Sequence, residues 1–544
     1  MSLLQRVSDR LGALPARKFS WGLVIAFSVW VLFDILVLRV SHGVTLSNYD
    51  AMVRARFFSE EMDPRIVIID IDEASLARMG KEFGRWPWPR DTLAAVLDFV
   101  EKQQPQAIAW DIVFSDADRL SPGGDAAFNE AVKQSQHSHF SVVRLPKAND
   151  ASSQVDRHHL GGLWATEGNA TASGVSASTV AMVAPALPAV AASRLGYNNG
   201  YVDADGILRR YRYFETLSDD SLIHSLPMSV LRAVDPSAYL ARVQLAMDAS
   251  RDKEELIAWR KRADAYPRVP FADVFAVADG SDPAGPVPSF AGKIIIIGST
   301  APSLHDIHPT PLSSMHGGVD ALATALDNAL NERQLREMPR SIQAALAIAL
   351  CAGLAVWVQF RGGASLAPAL WFLPAALLGI GYFSLNGSPI FLDMHLPAGL
   401  AGVFLLVLRG WNAMRYAYWC TPPLEAQGYA LWTLERREPW LEGALGRLID
   451  VLEVHAPSCR IVVSDANVTW PASLRWPELA RYAAIVGPQD VLQQVQSRMQ
   501  APLGKIADYS TAIVPVPDAL DRKAWAHTVF MAWASMRKQD TTPS

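Results

Sequence analysis

Four side chains have the type and setting to meet a ligand: Asp72, Asp111, Asp306 and Arg90. Asp72 and Asp111 each sit at or near the end of a short apolar run, and Asp306 follows a third such run by a short loop. In open α/β sheets, ligands bind beyond the carboxyl ends of parallel strands. Three carboxylates gathered there would hold a divalent cation or a basic ligand. The competing reading is structural: Asp72 caps a helix over residues 73–79, and Asp306 closes the Thr310-Pro311 turn. Arg90 follows two Trp-Pro pairs and is expected to fix a loop by pairing with a carboxylate. His305 and His308 flank Asp306, a cluster compatible with a metal and equally with a polar loop. His137, His139, His158 and His159 lack metal-ligand spacing, so no metal is assigned. Gly298-Ser299-Thr300 follows a strand as a phosphate turn would, but lacks the Lys of a P-loop. Asp203-Ala204-Asp205-Gly206 marks a turn without the further ligands and closing Glu of an EF-hand. No nucleophile–base pair is legible, so no catalytic residue is assigned, and no cofactor is called for.

The elements that must position these groups alternate strand and helix. Residues 64–72, a short run ending in acids, and 107–114 and 292–300 are apolar and β-branched, as strands buried on both faces of a parallel sheet are. Between the first two, residues 91–104 place Leu93, Val96, Leu97 and Val100 at helical spacing. Strand, helix, strand is a βαβ unit. Further strands are expected at 140–145 and 180–183, and helices at 125–134 and 318–331, the latter with Leu322, Leu326 and Leu330 on one face. Residues 149–178 read as a loop or insertion, and 251–255 as a charged, solvated helical run.

A second regime surrounds this α/β region. Residues 341–408 hold apolar runs at 342–360, 366–385 and 397–408, joined by links too short for anything but antiparallel hairpins. The first two, at roughly 20 residues, are long enough to cross a bilayer. The third reaches that length only if Asp393 and His395 lie near an interface. Residues 1–19 carry Arg6, Arg10, Arg17 and Lys18 against Asp9, and an apolar run follows to Leu38. Its length, and the lack of a small-x-small site after it, favour an uncleaved anchor over a signal peptide. Asp34 interrupts that run and is expected near the outer interface beside Arg39 rather than in a helix–helix contact. The positive-inside rule then puts the N-terminus, Arg361, Arg409 and Arg415 in the cytoplasm and residues 41–340 outside. The 544 residues are 50% hydrophobic with mean hydropathy +0.12, an average of these two regimes. A net charge of −5 gives no reason to expect nucleic acid as a partner. With no cysteine between residues 41 and 340, the external part cannot be disulfide-stapled.

The pieces Ile68-Ile69-Asp70-Ile71-Asp72-Glu73-Ala74-Ser75-Leu76, Trp86-Pro87-Trp88-Pro89-Arg90, Ala107-Ile108-Ala109-Trp110-Asp111-Ile112-Val113-Phe114, Leu195-Gly196-Tyr197-Asn198, Asp203–Arg210 and 292–300 with Asp306 and Thr310-Pro311-Leu312 resemble, in order and spacing, the CHASE type 2 sensor domain family. The resemblance covers most of residues 45–335, with one span before and three after. It implies an extracytoplasmic sensor of a bacterial transmembrane signalling protein, and it implies dimerisation. One departure is that Gly317-Gly318-Val319 and Leu322-Ala323 stand where the family has Pro-Gly-Val and a His-Ala pair. Relatives end in a kinase or cyclase, but residues 409–544 carry no kinase, diguanylate cyclase or nucleotide cyclase motif. That tail has an aromatic-basic start at 411–419, a linker at 421–423, a helix at 440–454, strands at 459–465, 482–487 and 511–516, and a helix at 491–499.

The expected organisation is an α/β extracytoplasmic sensor domain (41–340), an α-helical membrane region of four spans (20–40, 341–360, 365–386, 389–408) and a small α/β cytoplasmic domain (409–544) behind a short cytoplasmic N-terminus (1–19). The expected location is the inner membrane, multi-pass. The expected role is to detect a small-molecule or envelope ligand, with Asp72, Asp111, Asp306 and Arg90 as ligand-binding candidates, and to act through a cytoplasmic protein partner, as a homodimer on the family's pattern. The alternatives are a signalling enzyme with a divergent nucleotide-handling tail, and a structural component of an envelope assembly.

Overall fold

The computed structural model describes residues 3–38, 40–57, 61–118, 121–166, 179–217, 221–248, 254–260, 262–361, 366–421, 428–440, 442–463, 481–516 and 531. Expectations at 167–178, 251–253, 362–363, 422–423 and 464–465, and that for Arg39, lie outside these. The chain divides into two compact units: Thr45–Met338 with Tyr382–Leu392, and Met1–Val44 with Pro339–Gly381 and Asp393–Ser544.

The first unit is built on a seven-stranded sheet. Its strands are β1 (Ile66–Asp70), β2 (Ala107–Trp110), β3 (Ser138–Arg144), β4 (Met182–Val183), β5 (Arg194–Tyr197), β6 (Arg268–Pro270) and β7 (Ile294–Gly298). They lie in the order β6-β1-β7-β2-β3, with β4 and β5 on the far side of β3, and only β4 runs antiparallel. Its helices include α1 (Glu73–Phe83), α2 (Arg90–Glu101), α3 (Pro122–Gln134), α4 (Leu226–Val234), α5 (Phe271–Ala278) and α6 (Gly318–Leu330).

Strand periodicity decides the layers. Val67, Ile69, Ile108, Trp110, Ile295 and Ile297 pack with α2, α3 and α5 through Val96, Phe128 and Val274. Their neighbours Ile66, Ile68, Ala107, Ala109, Ile294 and Ile296 pack on the other face with α4 and α6 through Val230 and Leu326. Each Val or Ile among them contributes about 1.5–3 kcal/mol on full burial, which is why both faces of β1, β2 and β7 read as unbroken apolar runs. The expected charged helix near 251–255 is instead, over Glu254–Leu256, a strand paired with Arg210–Arg212. Its charges are neutralised locally, Glu254 by Arg212 at 2.7 Å and Glu255 by Arg242 at 3.0 Å, while Leu256 is buried.

Residues 382–392 belong to this unit too. Ile390–Phe391 pairs in parallel with Arg336–Glu337, Phe391 packs edge-on to Tyr49, and Arg56 donates to the Leu385 carbonyl at 2.7 Å.

In the second unit, four helices among the described residues are long and apolar enough to cross a membrane by length and composition: Ala16–Leu38, Arg340–Phe360, Pro368–Gly387, whose last residues lie in the first unit, and His395–Trp419. The last of them starts at His395, whose N–H Asp393 accepts at 3.1 Å, and runs through the aromatic-basic stretch 411–419 without a break. Asp34 is buried and accepts the N–H groups of Val40 (3.0 Å) and Ser41, so it caps the next helix across a π turn.

The same unit holds the tail: β8 (Tyr429–Glu435), α7 (Glu442–His455), β9 (Arg460–Val463), β10 (Tyr482–Pro488), α8 (Gln489–Leu503) and β11 (Tyr509–Pro515). The sheet order is β9-β10-β8-β11, antiparallel throughout. This βαββαβ succession is the ferredoxin-like, split βαβ arrangement. One sheet face, Ala430, Trp432, Leu434, Ile461 and Ile485, packs on Leu448, Leu452, Leu492 and Met499 of the two helices.

Candidate functional site

The carboxyl ends of β1, β7 and β2 lie side by side because these strands pair in register, Asp70 opposite Gly298 and Ile297 opposite Trp110. Asp70 is buried and accepts from Thr300, through the N–H at 3.0 Å and the hydroxyl at 2.7 and 2.9 Å. Arg268, at the start of β6, reaches Asp70 at 3.3 Å and Asp320, in the first turn of α6, at 2.8 Å. Burial pushes both carboxyls up. For Asp320 the result is about 6, with Arg268 opposing and Asp70 adding to the rise.

Beside this pair sit Asp111 and Asp306. Asn198, one residue past β5, donates its amide to Asp111. Burial drives the Asp111 carboxyl well above the usual range, and the Asp306 carboxylate drives it further. The approach of α6 depends on two glycines. A Cβ at Gly298 would stand 2.8 Å from Val319 Cγ2 and 3.0 Å from Asp111 Cβ, and one at Gly318 would collide with the Asp306 carboxylate. The Asp306 carbonyl accepts the Gly318 N–H at 2.9 Å, and His308 Nε2 stands 3.6 Å from Asp306 Oδ1, which raises the His308 pKa. Negative groups at the first turn of α6 gain from its dipole. The arrangement can store protons near neutral pH or accept hydrogen bonds from a basic group. Among the described residues, no three His, Cys, Asp or Glu side chains gather as a metal set.

Of the four expected ligand-binding residues, the structure brings together Asp111 and Asp306. Asp72 is the N-cap of α1, accepting the Ser75 N–H at 2.7 Å. Arg90 pairs with Asp125 at 2.7 Å, donates to the Asp116 carbonyl and lies over the Phe114 ring, fastening the loop after β2. The sequence reading missed Asp70, Arg268 and Asp320 as members. Asp70 could have been found, since it ends the same apolar run that introduces Asp72. Arg268 could not, because its strand is three residues long and its partner is 198 positions away.

Elsewhere in this unit buried arginines act as struts. Arg209 holds Asp50, Asp203 and Asp205 at 2.7–2.9 Å, which gives the Asp203–Gly206 turn its role. Arg144 holds Asp150 and Glu215 at 2.6 and 2.9 Å. In the other unit, Arg415 of the last apolar helix is buried against Glu453 (2.6 Å) and Asp450 (2.7 Å) of α7, and the Ala16 N–H also reaches Glu453. Trp411 stacks on Phe19 at 4.5 Å and donates to the Leu11 carbonyl at 2.9 Å. Thus α7 holds the start of the first apolar helix, at Ala16, and the end region of the last, at Arg415.

Comparison with curated proteins and with solved structures gives no match. Comparison with protein families gives one, described as the CHASE2 domain and matching residues 24–357.

Proposed function

The chain belongs to the CHASE2 domain family, a sensor family of signalling proteins, and on that premise we propose that it is a multi-pass inner-membrane receptor. Residues 41–340 form its extracytoplasmic sensor, four helices cross the bilayer, and both termini are cytoplasmic. The tail, residues 409–544, passes the signal to a protein partner and does no chemistry itself. The receptor works as a homodimer.

The observation that carries this reading is the placing of residues 382–392. The positive-inside rule puts the turn between the third and fourth helices outside. That turn packs into the α/β unit, through Arg336–Ile390 pairing and the Arg56–Leu385 bond. Charge bias and packing are independent arguments, and they agree. The Arg415–Glu453–Asp450 contacts supply the route inward, because any shift of the last helix is felt by α7. Such a shift is a change of population between two helix arrangements that ligand binding favours unequally. The βαββαβ succession of the tail hosts many functions and names none.

Removing Arg415 tests the route. Arg415→Ala leaves Glu453 buried beside Asp450 without its cation, and amide exchange in Glu442–His455 should rise at least tenfold, on the order of 1–2 kcal/mol of local stability. Strand Ile294–Gly298 should keep its protection. Unchanged exchange in α7 would mean that the tail does not hang on this helix, and the route would be wrong.

A further inference from the structure

The opposite pole of the sensor sheet, at the amino ends of β3 and β5, opens into a cavity of about 950 Å³, close to the 300–1,000 Å³ typical of small-molecule sites. Lys133, Arg194 and Arg232 line it, with Ser138, Ser193 and Ser229 between them. Among the described residues, no carboxylate side chain lines it. The ion-pair partner of Lys133 among the described residues is a loose, exposed one, Glu130 at 3.6 Å. Arg194 and Arg232 each spend an N–H on a backbone carbonyl, Gln136 at 2.6 Å and Trp164 at 3.2 Å, and keep the rest of the guanidinium fork. Among the described residues, neither arginine has a carboxylate within ion-pair distance.

The walls are set by the core rather than by solvent. Ser229 is held by the fully buried His139 ring at 2.9 Å. A Cβ at Gly162 would collide with the Ser193 carbonyl and approach Arg194 Cα to 3.0 Å, so only glycine lets that turn close onto the start of β5. Lys133 and Arg232 lie in the last turns of α3 and α4, where a cation compensates the helix dipole without any ligand. Dipole compensation accounts for each cation singly. It does not account for three, from three separate elements, bordering one void lined with hydroxyls. Their mutual repulsion is relieved by a negative occupant.

We propose that this cavity is a binding site for a small oxyanion-bearing metabolite, a carboxylate or a phosphate, held by Arg194 and Arg232 with the Ser138 and Ser229 hydroxyls as further donors, the Ser193 hydroxyl being given to the Val190 carbonyl at 2.7 Å. Its use as the sensory site rests on the receptor reading above, but its occupancy does not.

The test is calorimetric titration of the full chain in non-ionic detergent with succinate and, separately, inorganic phosphate, which distinguishes the two chemistries. At least one should bind saturably, and Arg194→Gln and Arg232→Gln should each weaken it about tenfold or more, as loss of a charged hydrogen bond does. Asp111→Asn, at the other pole, should leave it unchanged. Both arginines are exposed, so these variants are expected to fold, and an unchanged unfolding temperature verifies it. Absence of saturable heat for both anions up to about 10 mM, or binding that survives both arginine changes, overturns the proposal. Intact binding with no change in α7 exchange would instead count against the receptor reading alone.

Discussion

At the carboxyl ends of β1, β7 and β2 the side chains are Asp70, Asp111, Asp306 and Asp320 with Arg268 as counter-charge, whereas the amino ends of β3 and β5 present Lys133, Arg194 and Arg232 with serines. Asp70 and Asp320 are buried and Asp306 is half-exposed. Thr300, Asn198 and Arg268 take up oxygens of Asp70, Asp111 and Asp320, and α6 closes over them through Gly298 and Gly318. The cations border open space. The strand-end rule locates crevices at the first pole, but here the start of α6 fills that place and the void lies at the second. The two poles teach that charge alone does not mark a ligand site: satisfied charges hold a fold together, and unsatisfied ones beside a cavity can bind.

The comparison can be broken most severely at the glycines. Gly162→Ala drives a methyl into backbone, the Ser193 carbonyl, and should cost about 2–3 kcal/mol in denaturant unfolding. The nearest atoms to a methyl in Gly318→Ala all belong to the half-exposed Asp306 carboxylate group, which can swing away, so its cost should stay below about 1 kcal/mol. Equal costs would remove the distinction between a rigid basic wall and an adjustable acidic one.

Next in size is Arg268→Ala, which strips the acid pole of its cation. With Arg268 about 30% exposed, the loss should be about 2 kcal/mol at pH 7 rather than the full price of a buried pair. It should shrink at pH 5, where Asp320 takes up a proton instead. A loss that is constant with pH would mean that Asp70 and Asp320 are not the groups Arg268 serves.

A smaller effect isolates Asp320 itself. Its folded pKa, about 6, lies above the unfolded value of 3.8, so the folded state holds the extra proton between these limits. Its contribution is therefore complete below the unfolded pKa and lost as pH rises through about 6. Relative to Asp320→Asn, the wild type should gain on the order of 1 kcal/mol as pH falls from 7 to 5. The buried His224 and His316, whose pKa values fall to about 3 and 4, oppose acid stabilisation in both proteins and cancel in the difference. A flat difference would place Asp320 in water.

Much of this architecture could be read in the residues. Strands β1, β2 and β7 announce themselves as unbroken β-branched runs, and α6 by Leu322 and Leu326. Short elements were invisible: β6 is three residues long, and the strand Glu254–Leu256 is masked by charges that Arg212 and Arg242 neutralise. In the tail, β8 went unread although Ala430, Trp432 and Leu434 alternate as a strand should. Of the acid site, Asp111 and Asp306 followed from strand ends, while Asp320 and Arg268 needed the fold to bring distant segments together. The basic cavity was not legible at all, because α3, α4, β3, β5 and the turn at Gly162 each supply only an end.

In the proposed receptor the membrane separates the α/β unit from the tail. The native cysteines Cys351, Cys420 and Cys459 are buried, so exposed Lys81 and Glu438 can each be replaced by cysteine and probed with a membrane-impermeant maleimide on cells with an intact inner membrane. The expected result is that Lys81→Cys labels at once and Glu438→Cys only after lysis. Labelling of both before lysis, or of neither, would contradict it.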